Sequence, residues 1–490
     1  MAEEVVAMAG FSGNWLARPR TDHATDDAGG VLRAWRKRHR YTQEHVAELL
    51  GTTQQHLSQM EKGTRALSLE QRRQLVAELG IAPEELGLSS GQSRFLVSSE
   101  DESPEIATSR AQWRAERCWL NRNRAGLARL AVDLYSAEHR IPRAPLIAAP
   151  DWVPREPVPL RSVALSLDET ESPCAVDGSE PESAGARPLR IRDARFEYYT
   201  SAIKHLDRPA LFESRPSYRL LGGSPANGNL SFGLAAYFDK LDVSEALGHE
   251  VAAVCMDDSA ALAAPGRALR GRLPFRDLIG DPFDPFRRAI IPAITTLTIR
   301  LHRYPVEPSF LLHWRDPSRV ATAGGLYDVV PAGEFQPSSV ALWDRRNDFD
   351  LWRNIVREYS EELLGTPEHD GTRSKAIDYD SWSLYRTFEQ CLAAGTASAH
   401  VLGVGLDALT LAATILTVVV LDDDAFRQAF ESVVRYNEEG EIVGVGQDVA
   451  EGVPFTAESI ERMLSEEPLA SPGAACLSLA WQHREVLLGL

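Results

Sequence analysis

The sequence predicts a multidomain protein, with an all-α domain at the N-terminal end followed by a larger α+β unit. Three observations predict this. Residues 28–90 carry short amphipathic stretches separated by helix caps and glycines. Residues 168–189 are acidic and rich in Pro, Ser and Gly, a composition that reads as a disordered linker. From about residue 190 to the end, strand-like and helix-like segments mix without an obvious break. The chain has 490 residues, too many for one typical domain.

Composition narrows the function classes. The hydrophobic fraction is 44% and the charged fraction 25%, enough to bury a sizeable core. The formal net charge of −18 repels nucleic acid at long range, so DNA binding requires a local basic patch. Cys118, Cys174, Cys255, Cys391 and Cys476 are scattered, with no CxxC pair, which indicates neither a zinc site nor a disulfide framework. The start, MAEEVVAMAG, lacks the basic head and long apolar core of a secretory signal. The most apolar run, Ala408–Leu421, is too short to span a bilayer as a helix. Its β-branched residues suit buried strands. The expected compartment is the cytoplasm, with no membrane partner.

Each element has a local reason. Residues 1–27 read as a polar leader. Helix one is expected over Val31–Arg38, and Thr42 caps helix two over Gln43–Leu50. Gly51 allows a tight turn, and Thr53 caps a third helix over Gln54–Lys62, stopped at Gly63. Ser68 caps a fourth helix with Gln71 as its capping-box partner, and Pro83 opens a short fifth ending at Gly87. Small Ala47, flexible Gly51 and apolar Leu57 permit a close crossing of helices two and three. Leu32, Val46, Leu50, Met60, Leu67, Leu69, Leu75 and Leu79 complete the expected core.

The stretch YTQEHVAELLGTTQQHLSQMEKGTRAL resembles the Xre/Cro-repressor family of helix-turn-helix regulators. The resemblance implies that the third helix enters the major groove of double-stranded DNA. The residue chemistry agrees: between Arg33 and Arg73 nine basic residues stand against four acidic ones, a local balance of +5. Gln54, Gln55 and Gln59 can pair with both edges of adenine. Gln43 and Ser58 are better placed for phosphate, and Thr53, Lys62 and Arg65 complete the DNA-contacting set.

Downstream, residues 109–140 are expected to form a helical connector, a candidate dimer seam, with Trp113, Cys118, Trp119, Leu127, Leu130 and Leu134 as its apolar set. Residues 141–160 are proline-rich and irregular, and Val163–Leu167 reads as a strand. An α+β segment is expected over 190–304 and a further domain over 305–490. His249, His302, His313 and His400 lack ligand spacing and read as structural or surface residues. Gly222, Gly223 and Gly228 lack phosphate-loop spacing. Asp422, Asp423 and Asp424 read as the solvated end of a strand.

Residues 324–365 read as strand, Pro-Ala-Gly turn, loop, then a helix over Phe349–Leu364. Helical spacing puts Leu351, Trp352, Ile355, Val356, Tyr359 and Leu363 on one arc, with Glu358 and Glu361 on its flank and Glu362 inside it. Carboxylates bordering an apolar face need compensating charge. The string REYSEE at Arg357–Glu362, with PAGEF at Pro331–Phe335, resembles the Nudix box. That resemblance implies an α/β/α fold over 305–490. It also implies magnesium or manganese held by Glu358, Glu361 and Glu362, with Arg357 as structural support, and a nucleotide-type ligand. The gap between Gly333 and Arg357 is longer than the box allows, and Leu364 stands where it places glycine, which favours a sensor over a hydrolase.

The sequence therefore describes a homodimeric transcription regulator. Its N-terminal domain binds DNA and its C-terminal domain senses a small ligand. Two alternatives stay open: a DNA-tethered Nudix hydrolase of nucleoside diphosphate derivatives, and a regulator whose C-terminal unit binds only protein.

Overall fold

The computed structural model describes residues 28–38, 42–43, 46–47, 54–61, 103–170, 173–209, 212–258, 266–303, 306–315, 325–367, 375–430, 440–443 and 452–490. The chain divides into two compact units, residues 1–101 and 102–490. The leader, Gly51, the fourth and fifth helices, Thr53, Lys62 and Arg65 lie outside the described residues.

In the first unit, helices span Ala28–Arg38 and Gln54–Glu61, and Gln43, Val46 and Ala47 are helical between them. The first helix begins three residues earlier than expected. Leu32, Val46, Ala47, Leu57 and Met60 are buried. The apolar stripe and the small residue at 47 thus form a core as the sequence predicts.

The second unit is built on a mixed sheet. Strands Pro292–Leu301 and Ala413–Asp422 run parallel, and Ala397–Asp407 pairs antiparallel with Ala413–Asp422. The far edges are shared by short strands. Leu146–Ile147 and Val158–Pro159 pair with 397–407, while Ala332–Glu334 and Ser309–Phe310 pair with 292–301. The apolar run noted in the sequence is the central strand 413–422, buried along nearly its whole length. Such continuous apolar character belongs to a strand covered on both faces. Helix Ser471–Gln482 packs against the three long strands. Helix Leu351–Glu358 continues through a π-helical turn, Tyr359–Leu363. It lies on the opposite face, where Tyr359 Oη and Thr298 Oγ1 are 2.7 Å apart. Tyr359 stacks on Phe388 of helix Ser383–Ala394 with ring centres 5.2 Å apart. The expected α+β unit is thus an α/β unit with helices on both faces of the sheet.

A second sheet joins Pro216–Ser224 and Asn229–Ala236 as a hairpin, with Ala164–Leu167 parallel to its second strand. Gly223 has φ +86°, and a Cβ there would lie 2.6 Å from the Asn229 carbonyl oxygen. That glycine lets the two strands approach closely, two residues past the bulge at Leu221.

Residues 109–140 are not a connector. They belong mostly to a helix, Pro104–Ala131, seated inside the second unit against helix Tyr237–Asp257. Trp113, Leu120, Leu127, Ala128 and Ala131 are buried there, while Cys118 is exposed. The expected apolar set therefore supplies core contacts within the unit, not a free dimer seam. Charged residues enter the same interface. The Arg124 guanidinium donates to Glu245 through Nη1 at 3.2 Å and Nη2 at 2.8 Å. His249 Nε2 lies 2.8 Å from Glu116 Oε2, and its Nδ1 lies 3.0 Å from Tyr199 Oη. Burial opposes ionisation of Glu116, but hydrogen bonds from His249 and Gln112 hold its pKa below the ordinary value.

Nor do the described residues between 168 and 189 behave as a disordered linker. Val176, Ser183 and Ala186 are buried, and Val176 N donates to Arg287 O at 2.8 Å. The Glu180 carboxylate accepts from the backbone of Asp177 and Gly178. Acidic residues that look solvated in the sequence here satisfy local N–H groups, while small apolar neighbours dock on the core.

Asp242, buried in the 237–257 helix, accepts from Thr200 N at 2.7 Å at the start of helix Tyr199–Leu206. Burial pushes its pKa up to about 7. Glu250 accepts from Phe275 N and Arg276 N, and burial likewise pushes it up to about 7. The folded chain keeps both protons where the unfolded chain, with carboxyl pKa values of about 4, has released them. Their contribution is complete below that unfolded value and disappears as pH rises through about 7. Stability should therefore decline between about pH 4 and 7. The Asp242→Asn/Glu250→Gln double variant should show a smaller fall in melting temperature between pH 5 and pH 8 than the parent. Identical falls would show that these carboxyls do not govern the decline.

Candidate functional site

In the first unit, Leu57, Met60 and Glu61 form the buried stripe of helix 54–61. Gln55 and Gln59 occupy register positions opposite that stripe, and Gln54 and Ser58 positions at its flank. Glu61 is 5% exposed. Arg36 Nη2 donates to its Oε2 at 2.9 Å, and Gln43 Nε2 donates to the same oxygen at 2.8 Å. Burial would raise the Glu61 pKa, but these bonds hold it below the ordinary carboxylate value. One carboxylate thus ties all three helical segments together. Gln43, expected at the phosphate backbone, has its amide engaged inside this clamp. Arg36 and Glu61 neutralise each other, so the local excess of positive charge is unchanged. The register of Glu61 with Leu57 and Met60 was the available sequence signal for the clamp.

In the second unit, Asp350 caps the 351–358 helix by accepting from Arg353 N at 2.9 Å. Buried Arg357 donates through Nη2 to Gln336 O at 2.7 Å and Asn354 Oδ1 at 3.0 Å, tying the helix to the preceding loop. That loop has its own buried anchor in Asp348, which accepts from Ser338 N at 2.7 Å and Tyr379 Oη at 2.8 Å.

The three glutamates sit differently from the expectation. A Cβ on Gly333 would lie 2.0 Å from the Glu358 carboxyl carbon, so this glycine lets the helix approach the strand. Ala332 N donates to buried Glu362 Oε1 at 3.4 Å. Glu361 is half-buried. Among the described residues no group of three or more His, Cys, Asp or Glu side chains is arranged to hold a metal ion. Glu358 lies against Gly333 and Glu362 bonds the Ala332 backbone, so the three carboxylates are not gathered as a magnesium or manganese donor set requires. The Asp422–Asp424 triplet is also not simply solvated. Asp422 caps helix Asp423–Ala429, and buried Asp423 accepts from Arg300 Nε at 2.9 Å.

A cavity lies on the other side of the strand. Side chains alternate along 332–334, and Glu334 faces away from the Glu358 side. It lines a cavity of about 250 Å³. The walls come from helices 104–131 and 237–257, the starts of strands 292–301 and 413–422, and the N-terminal turn of helix 471–482. Lys240 Nζ is paired with Glu334 Oε1 and stands 5.8 Å from the Tyr237 ring centre. Asp407 Oδ1 accepts from Thr410 N and Oγ1, both at 2.7 Å, and its Oδ2 accepts from Ser471 Oγ. Thr295 and Thr414 hydroxyls are 2.9 Å apart. The wall-forming segments are hundreds of residues apart in the chain, and no motif marks them.

Among the described residues no helix is long and apolar enough to cross a membrane. Residues 32–86 match the helix-turn-helix family. No curated protein matches this chain.

Proposed function

We propose that the protein is a DNA-binding transcription regulator whose helix-turn-helix selects its operator and whose second unit senses a small molecule. The observation that carries this reading is the family match over residues 32–86. The local +5 balance in a chain of net charge −18 supports it. Gln54, Gln55 and Gln59 read bases, while Thr53, Ser58, Lys62 and Arg65 hold the phosphate backbone, with Gln43 contributing through the Glu61 clamp. One such module makes few base contacts, so two chains bind two half-sites one helical turn or a multiple of it apart. A cavity with convergent polar groups favours a small-molecule sensor over a unit that binds only protein. Among the described residues the three glutamates are not gathered as a metal site, which supports the sensor reading over a Nudix-type hydrolase.

The test is a titration of the full chain against labelled duplex DNA at several salt concentrations, with sedimentation to count chains per duplex. The logarithm of the affinity should fall linearly with the logarithm of salt concentration, and two chains should occupy each selected operator. Salt-independent binding would remove the DNA reading, and monomers with and without DNA would remove the dimer.

A further inference from the structure

A second cavity of this unit, of about 550 Å³, falls within the usual size range of small-molecule sites. It opens where the end of helix 104–131 and the loop after it meet helices Ala457–Ser465 and 471–482. Its lining has two kinds of side chain only. Arg129, Arg140 and Arg143 are there, and every other lining residue is Val, Ala, Ile, Pro or Leu. Among the described residues no acidic side chain lines it. The three arginines keep surface toward solvent. Arg129 is exposed and has no hydrogen-bond or ion-pair partner among the described residues. Arg140 is held in place: its Nε and Nη2 donate to Tyr135 O at 3.1 and 2.8 Å, and its Nη1 to Asp133 Oδ1 at 2.8 Å. Arg143 takes φ +62°, a left-handed conformation uncommon outside glycine and concentrated at ligand clamps. Its Nη2 donates to Glu461 Oε2 at 2.6 Å, but both side chains are exposed, so that pair contributes little and a ligand can replace it. Val132 and Leu464 are half-buried and offer apolar surface beside these cations.

We propose that this cavity binds a free aliphatic carboxylate of medium chain length, with its head on the arginines and its chain on the apolar lining. Guanidinium groups suit a carboxylate because they can donate two parallel hydrogen bonds to it. The chain follows from what the lining lacks. Apart from the arginines no lining side chain carries a hydrogen-bonding group, so nothing there answers sugar hydroxyls or the edge of a base. The site thus differs from the nucleotide-type ligand implied by the Nudix-box resemblance. It rests on this lining and not on the sensor reading.

Equilibrium dialysis of the full chain against labelled octanoate tests the site, with octanol, acetate and AMP as competitors. Octanol, which lacks the charge, and acetate, which lacks the chain, should each bind at least about tenfold more weakly than octanoate, and AMP should not displace it. The Arg129→Gln/Arg143→Asn double variant should lose about tenfold or more in octanoate affinity. Both positions are exposed and asparagine tolerates the left-handed backbone, so the variant should keep the parent's melting temperature. Arg122→Gln, exposed on the same helix but outside the lining, should bind like the parent. No octanoate bound at millimolar concentration overturns the site. So does equal binding of octanol, displacement by AMP, or a folded double variant that binds like the parent. An equal loss in Arg122→Gln would reduce the effect to general surface charge and overturn it too. Phosphatidylglycerol vesicles that capture the chain and displace octanoate would place a lipid surface there in place of the free carboxylate.

Discussion

Replacing Gln54, Gln55 and Gln59 together with alanine should abolish preference for a selected operator and leave only salt-sensitive binding to any duplex. A bidentate amide-to-base pair contributes about 1–3 kcal/mol of discrimination. Loss of three candidates should therefore reduce the operator-to-random affinity ratio by a factor on the order of a hundred or more. The phosphate term depends on Arg and Lys and stays, because the substitutions change no charge. Helix formation also stays, since alanine is the best helix former. The operator is obtained by selection with the parent chain, and the ratio is read by competition binding at two salt concentrations. A variant that keeps its operator preference would show that another element reads the bases. Arg36→Met provides the contrast. It strands the buried Glu61 carboxylate, so it should weaken the domain and lower all DNA binding without changing the ratio.

Glu245→Ala should destabilise the second unit by about 3–5 kcal/mol. Glu245 is 3% exposed and answers two guanidiniums, Arg124 in two hydrogen bonds and Arg117 at 3.6 Å. Burial alone would raise its pKa, yet the two cations hold it below the ordinary value. Arg117 keeps a second partner in Asp207 at 3.0 Å, whereas among the described residues Arg124 would keep the hydrogen bond to Asn121 Oδ1 at 3.2 Å and a longer-range attraction to Asp407. The cost is thus the stranding of a buried cation between two helices, more than the loss of one attraction. The Arg124→Leu/Glu245→Leu double variant removes both charges and should cost much less than Glu245→Ala. Urea unfolding followed by circular dichroism measures both. A loss below about 1 kcal/mol for Glu245→Ala would mean that water screens the pair as at a surface.

The legible part of the fold was carried by local rules. The cap at Thr42, the small residue at 47 and the apolar stripe of Leu57 and Met60 specify a helix crossing within a few dozen residues. The strand 413–422 announced itself because a strand covered on both faces must be apolar throughout. Where polar residues are buried, the same rules misled. The 104–131 helix reads as a connector because Glu116, Arg117 and Arg124 interrupt its apolar face, yet each finds a charged partner ninety or more residues away. Glu180 and Asp177 look like linker acids, but they close a turn that Val176 and Ala186 pin to the core.

The site divides along the same line. The sequence by itself determined the helix-turn-helix segment, since its residues lie within one continuous segment and the spacing is local. It also placed Arg357 and the three glutamates on one helix. Only the tertiary structure decided what those glutamates face. Gly333 admits Glu358 against one side of the 332–334 strand, while Glu334, one residue on, turns to the cavity on the other. A period of two along a strand can be read from sequence, but which side encloses space depends on what packs there. Here that is settled by Arg124, Lys240, Asp407 and Ser471, which meet only when two helices close over the ends of the sheet strands.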